Sequence, residues 1–111
     1  MSIEQWSERV LIVRRAADPH LGEELQAPIE RVATQPADVI LDFATVRYLN
    51  SSHISRLLRL RKTALSAGSR LVLCAVETQA WGAFLVTGLD KVFEFCESVP
   101  TALATLQVAR E

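Results

Sequence analysis

The sequence predicts an α/β domain with a mostly parallel sheet of four to five strands and about four helices. Three observations carry that reading. Short, apolar, β-rich runs occur at Val10–Val13, Val39–Phe43, Arg70–Val76 and Lys91–Phe95. Between them, apolar residues recur at three- and four-residue spacing. The connections are short, and there is no internal repeat, linker or low-complexity segment, so residues 1–111 read as a single domain.

Each element has its own signal. Val10–Val13 is continuously apolar and β-branched, with Ile3 and Trp6 placed for an edge strand just before it. Asp18-Pro-His-Leu-Gly22 is turn chemistry. Leu21, Leu25, Ile29 and Val32 then repeat with a helical period, and Pro28 within them requires a late start, a kink or a break. Val39–Phe43 is nearly unbroken in its apolar character, which suits a central strand covered on both faces. A second helix from Ile54 to Ala67 offers Ile54, Leu57, Leu58, Ala64 and Leu65 as its buried stripe. Arg56, Arg59, Lys62 and Ser66 face water, and Leu60 and Arg61 lie on the flanks. Ala67-Gly68 stops that helix. Glu77–Thr87 reads as a short helix using Ala80, Trp81, Phe84 and Leu85, closed by Gly88. Ser98 caps a last helix with Pro100 in its first turn and Val99, Ala102, Leu103 and Leu106 inward.

Composition narrows the function. Half the residues are hydrophobic and 23% are charged, as in a compact soluble protein, and the net charge of −1 gives no global pull toward nucleic acid or anionic lipid. No apolar run reaches the ~20 residues of a membrane span, and the first residues lack the basic start and apolar stretch of a signal peptide. A cytoplasmic location is therefore expected. Cys74 and Cys96 each follow an apolar strand and lack the spacing and further ligands of a zinc site. They read as reduced, mostly buried thiols, with a disulfide between neighbouring strand ends as the alternative. The glycines at 22, 68, 82 and 88 are scattered, so no phosphate-cradling loop is present. His20 and His53 lack a third metal ligand, and Ser51 lacks the glycine-flanked elbow of a hydrolase nucleophile. No catalytic residue, metal or cofactor is expected, and the chain does not read as an enzyme.

Two local features remain. At Asn50-Ser51-Ser52-His53 two adjacent hydroxyls open the second helix, where unpaired backbone N–H groups and the positive end of the macrodipole favour an anion. Such serines serve as caps, or one carries a phosphate. From Phe43 to Val76 there is no Asp or Glu, yet the stretch holds Arg47, Arg56, Arg59, Arg61, Lys62 and Arg70. That basic surface is either a solvated face or a docking surface for an acidic partner. Nucleic-acid binding is disfavoured, because Tyr48 is the sole aromatic near it.

The run Val-Ile-Leu-Asp-Phe-Ala-Thr-Val-Arg-Tyr-Leu-Asn-Ser-Ser from Val39 to Ser52, with Ala67–Val76 and Phe84–Phe93, resembles the STAS domain of bacterial anti-sigma factor antagonists. The likeness covers nearly the whole chain and is best from residue 38 to 95. It implies a partner switch. The unphosphorylated domain binds an anti-sigma factor that is also a serine kinase; the kinase phosphorylates the serine after the motif's acid; the complex parts; a phosphatase resets it. That serine maps to Ser51, with Ser52 as the alternative. Asn50, Ser51, Ser52, His53, Arg56 and Arg59 form the expected partner-binding surface. The chain departs from the family pattern twice: Asn50 stands where Asp is usual, and His53, expected to be exposed to solvent, where Gly is usual. These departures favour a second reading, a constitutive interaction module such as a small subunit of a lipid ABC transporter or a signalling scaffold. The expected state is a monomer or weak homodimer, with the Leu/Val-rich N-terminal strand as a candidate exposed edge.

Overall fold

A computed structural model describes residues 2–7, 9–14, 26–44 and 46–110. Strand β1 (Ser2–Ser7) is followed by β2 (Val10–Arg14), helix α1 (Gln26–Thr34), β3 (Asp38–Asp42), α2 (Ser51–Ser66), β4 (Leu71–Cys74), α3 (Thr78–Thr87), a 3-10 turn (Leu89–Lys91), β5 (Glu94–Cys96) and α4 (Val99–Arg110). The five strands lie in one sheet in chain order. β1 runs antiparallel to β2, with an irregularity between Gln5 and Ser7; all other pairings are parallel.

The strands alternate their side chains between two apolar layers, as the two-residue period of a strand requires. Leu11, Val13, Val39, Leu41, Leu71 and Leu73 point to the layer built with α1, α2 and α3. Val10, Ile12, Ile40, Val72 and Cys74 point to the layer built with Val99, Ala102 and Leu106 of α4. The expectation of central strands covered on both faces is met. The Val10–Val13 strand is not the exposed edge. It is paired on both sides, by β1 and β3, and β1 takes the edge instead.

Pro28 is the third residue of α1, in the first turn, where its missing N–H breaks no bond within the helix. Leu21, Leu25 and the Asp18–Gly22 turn lie outside the described residues. In α2 the buried set is His53, Leu57, Leu60 and Ala64. This corrects the sequence reading. Leu60 is fully buried, whereas Leu58 and Leu65 are 38% and 55% exposed. The set 53, 57, 60, 64 occupies one helical face, and a helix buried on that face turns 58 and 65 outward. Leu85 of α3 is likewise exposed, while Ala80 and Phe84 are buried. Gly88 ends α3 at φ +73°, a conformation that suits glycine. The 3-10 turn then takes up Leu89–Lys91, so the last strand begins later than its apolar run suggested. Ser98 Oγ accepts a hydrogen bond from the Thr101 N–H at 3.3 Å, as a cap should.

Among the described residues no helix is long and apolar enough to cross a membrane, and no group of three or more His, Cys, Asp or Glu could hold a metal. Cys74 and Cys96 are register partners on β4 and β5 and are both free thiols, Cys74 buried and Cys96 half-buried. Burial pushes the Cys74 thiol up to about 12, and Cys96 and Asp42 act in the same direction.

Candidate functional site

The site sits where the chain leaves β3 and turns into α2. Beyond Asp42 the strand is anchored by buried Phe43, Val46 and Leu49. Asp42 Oδ1 accepts from the Ala44 N–H at 3.0 Å. Three inward apolar side chains fix the loop from below, and Arg47 and Tyr48 between them point outward, Tyr48 at 61% exposure.

Asn50, not a serine, is the N-cap of α2. Its backbone is extended (φ −108°, ψ 179°), and its side-chain oxygen accepts from the His53 N–H at 2.9 Å. The Asn50 N–H in turn donates to Nδ1 of His53 at 3.1 Å. This is a reciprocal capping box with an imidazole where Glu or Gln is the usual partner. Because Nδ1 accepts, it carries no proton in this arrangement, and the imidazole's proton sits on Nε2. His53 is 4% exposed, so the expectation of a solvent-exposed histidine is corrected. At N3 its side chain folds back beneath the cap, and Tyr48 meets the ring edge-on with centroids 6.2 Å apart.

With Asn50 capping the helix, the two serines are relieved of that task. Ser51 and Ser52 are the first two helical residues, both exposed. Neither hydroxyl, and neither backbone N–H, makes a hydrogen bond with another described residue. Two hydroxyls therefore stand over two open N–H donors at the positive end of a 16-residue helix. The capping role that the sequence offered to the serines is filled by Asn50.

Downstream, Arg56 Nη1 donates to Gln26 Oε1 of α1 at 2.8 Å, which leaves Arg56 half-buried and not turned to water. Arg61 Nε donates to the Val92 carbonyl at 3.2 Å. Arg59 and Lys62 are exposed. Of the six cations between Phe43 and Val76, Arg47 meets Glu77 at 3.7 Å and Arg70 pairs with Glu94. That hydrogen bond raises the Arg70 pKa further, against partial burial. The other four have no carboxylate partner among the described residues. The structure thus brings Asn50, Ser51, Ser52 and His53 into one turn and sets Arg56 and Arg59 one to two turns further along the same helix.

The sequence allows Asn50 as a helix cap, and the structure gives it that role; sequence reasoning missed the second bond of the box. The Asn-x-x-His spacing was visible, and a polar residue three positions after an N-cap is a signal for that arrangement. It also missed Ala75, which ends β4 at φ +56°. That left-handed residue turns the chain toward Glu77, and so toward the ion pair with Arg47 beside the site.

A family model of the STAS domain matches residues 4–102. Among solved structures, a putative anti-sigma factor antagonist of Thermotoga maritima superposes with a TM-score of 0.81 at 12% identity, covering 96% of this chain and 93% of the other. An anti-sigma-factor antagonist (STAS) domain protein of Planctomyces limnophilus gives 0.80 at 19% identity, covering 96% and 97%. The anti-sigma factor antagonist SpoIIAA in its unphosphorylated form gives 0.74 at 15% identity, covering 96% of each chain. At these identities the superpositions establish the fold. With the family match running from β1 into α4, through the capped start of α2, the chain belongs to the STAS domain family.

Proposed function

We propose that this protein is an anti-sigma factor antagonist that binds a protein partner, an anti-sigma factor with serine kinase activity, through the start of α2, and that phosphorylation of Ser51 releases the partner. The observation that carries the reading is the exposed, unengaged Ser51 hydroxyl at the first position of a helix whose cap is supplied by Asn50. A phosphate brings about −1.5 to −2 charges at neutral pH. At the helix N-terminus the fold tolerates it, since the dipole and the open N–H groups of Ser51 and Ser52 favour an anion there. In a protein interface the same group must be desolvated. A penalty of ~3 kcal/mol weakens binding by roughly two orders of magnitude. No rearrangement of the domain is needed. Ser52 is the neighbouring acceptor. Asn50 and His53 act by holding the turn, and Arg56 and Arg59 extend the contact along α2.

Incubation with the cognate kinase and ATP should add one phosphate, read by intact mass, and Ser51→Ala should abolish it. No phosphate, or phosphate that survives Ser51→Ala, defeats the proposal.

A second reading has its own support. A side chain stands at position 53 where glycine is usual in the family, and Asn50 offers no negative charge beside the serine. Both suit a constitutive interaction module, for instance a subunit of a transporter or scaffold. Ser51→Asp separates the two: a switch protein loses its partner, and a constitutive module binding elsewhere retains it.

A further inference from the structure

The outer face of α2 beyond the serines is built for a particular kind of partner. Ser51, Ser55, Leu58, Lys62 and Leu65 follow one another at four- and three-residue spacing, so they form one stripe along the helix. All five are exposed. The stripe alternates leucine, cation, leucine in its second half. Beside it Arg59, Lys62, Thr63 and Ser66 line a groove of about 590 Å³, whose other wall is Ala33 and Pro36 at the end of α1. Arg59 and Lys62 have no carboxylate partner among the described residues, and residues 43 to 76 contain no acid that could supply one locally. Leu58 and Leu65 are apolar surface that nothing described covers.

We propose that this stripe and groove dock an acidic amphipathic helix of a protein partner, with leucine-type side chains against Leu58 and Leu65 and carboxylates facing Lys62 and Arg59. Charge complementarity selects the acid, and the four- and three-residue repeat selects a helix, which presents side chains at the same spacing. A membrane is a poorer occupant. The apolar face of α2, Leu57, Leu60 and Ala64, is committed to the core, so no wide apolar face remains to enter lipid. A nucleic acid is also poorer, because the patch offers two unpaired cations and no aromatic to stack a base. The inference deepens the partner reading above by naming the partner's chemistry, and rests on it only for its physiological use. Ser51 heads the same stripe, so a phosphate there sets negative charge in the path of an acidic helix and repels it.

The test is an amide chemical-shift titration of the full chain with a synthetic helical peptide carrying leucines at three- and four-residue spacing and glutamates on both flanks. Parallel arms use the same peptide with lysines for glutamates, phosphatidylserine-containing vesicles, and a short DNA duplex. The acidic peptide should shift the amides of Ser55–Ala67 and Ala33–Gln35, with affinity that falls several-fold as salt rises. Arg59→Glu with Lys62→Glu, both at exposed positions, should weaken it by about tenfold, and Leu58→Ser with Leu65→Ser should weaken it as well. Absence of shifts at millimolar peptide, shifts confined to other elements, equal binding of the lysine peptide, or tighter binding of vesicles or duplex each overturns the proposal. The charge-reversal pair leaves Ser51 intact and the Ser51→Ala mass assay leaves the cations intact, so failure of the docking face and failure of the switch are read separately.

Discussion

Removing the Asn50 side chain isolates the arrangement on which the site depends. Asn50→Ala deletes one hydrogen bond, from the His53 N–H to Asn50 Oδ1 at 2.9 Å, and leaves that N–H, part-buried, without its acceptor. Loss of an N-cap of this kind costs about 1 kcal/mol, within a range of about 0.5–2. The second bond of the box, from the Asn50 N–H to His53 Nδ1, belongs to the backbone of residue 50 and survives the substitution. Ser51→Ala should cost under about 0.5 kcal/mol, since an exposed hydroxyl without a described partner carries little. Asn50→Asp keeps an acceptor in place and adds charge favourable to the dipole, so it should match or slightly exceed the wild type. For a domain of this size a loss of 1 kcal/mol lowers Tm by about 4–6 °C, and a total stability of about 5–15 kcal/mol leaves the fold intact. Urea denaturation with unchanged m-value gives the number. Faster hydrogen exchange confined to the amides of His53 and Ile54, the two bonded to Asn50, gives its location. A cost for Ser51→Ala above that for Asn50→Ala would refute the reasoning, because the serine would then be the cap and its hydroxyl would not stand free for a kinase.

Two further outcomes follow from burial. Leu60→Ala should destabilise by about 2–5 kcal/mol while Leu65→Ala stays within about 0.5, because Leu60 is fully buried and Leu65 is 55% exposed; parallel urea titrations check it, and equal costs would mean that α2 is rotated. Cys74 should resist alkylation at neutral pH under conditions where Cys96 reacts, as peptide mapping after limited alkylation would show. Its folded thiol keeps its proton up to about 12, against an ordinary value of 9.0. Above pH 9 the unfolded chain therefore ionises first, and stability present below that pH is lost as pH rises, at up to about 1.4 kcal/mol per pH unit. The urea midpoint of the wild type should fall more steeply in that window than that of Cys74→Ala, and matching slopes would contradict the assignment.

What the sequence made legible was what local period and turn chemistry control. The succession of strands and helices along the chain, Gly88 as a helix stop and Ser98 as a cap all follow from residues within a few positions of one another. The misreadings share a cause. Whether Leu58 or Leu60 faces the core depends on how α2 is rotated against α1 and the sheet, and five apolar residues in the run Leu57–Leu65 allow more than one stripe. Packing chose the set containing His53, Leu57, Leu60 and Ala64, and in doing so buried the imidazole and exposed two leucines. The site inherits this choice. Had Leu58 and Leu65 turned inward, His53 would have left the buried face, although the capping box, closed locally between residues 50 and 53, does not depend on that rotation. The rotation that buries His53 is the same one that lays leucine and lysine along the outer stripe. The docking face proposed for α2 is therefore a consequence of packing, and Leu60→Ala, by loosening that packing, should weaken binding of the acidic peptide in the same amide titration.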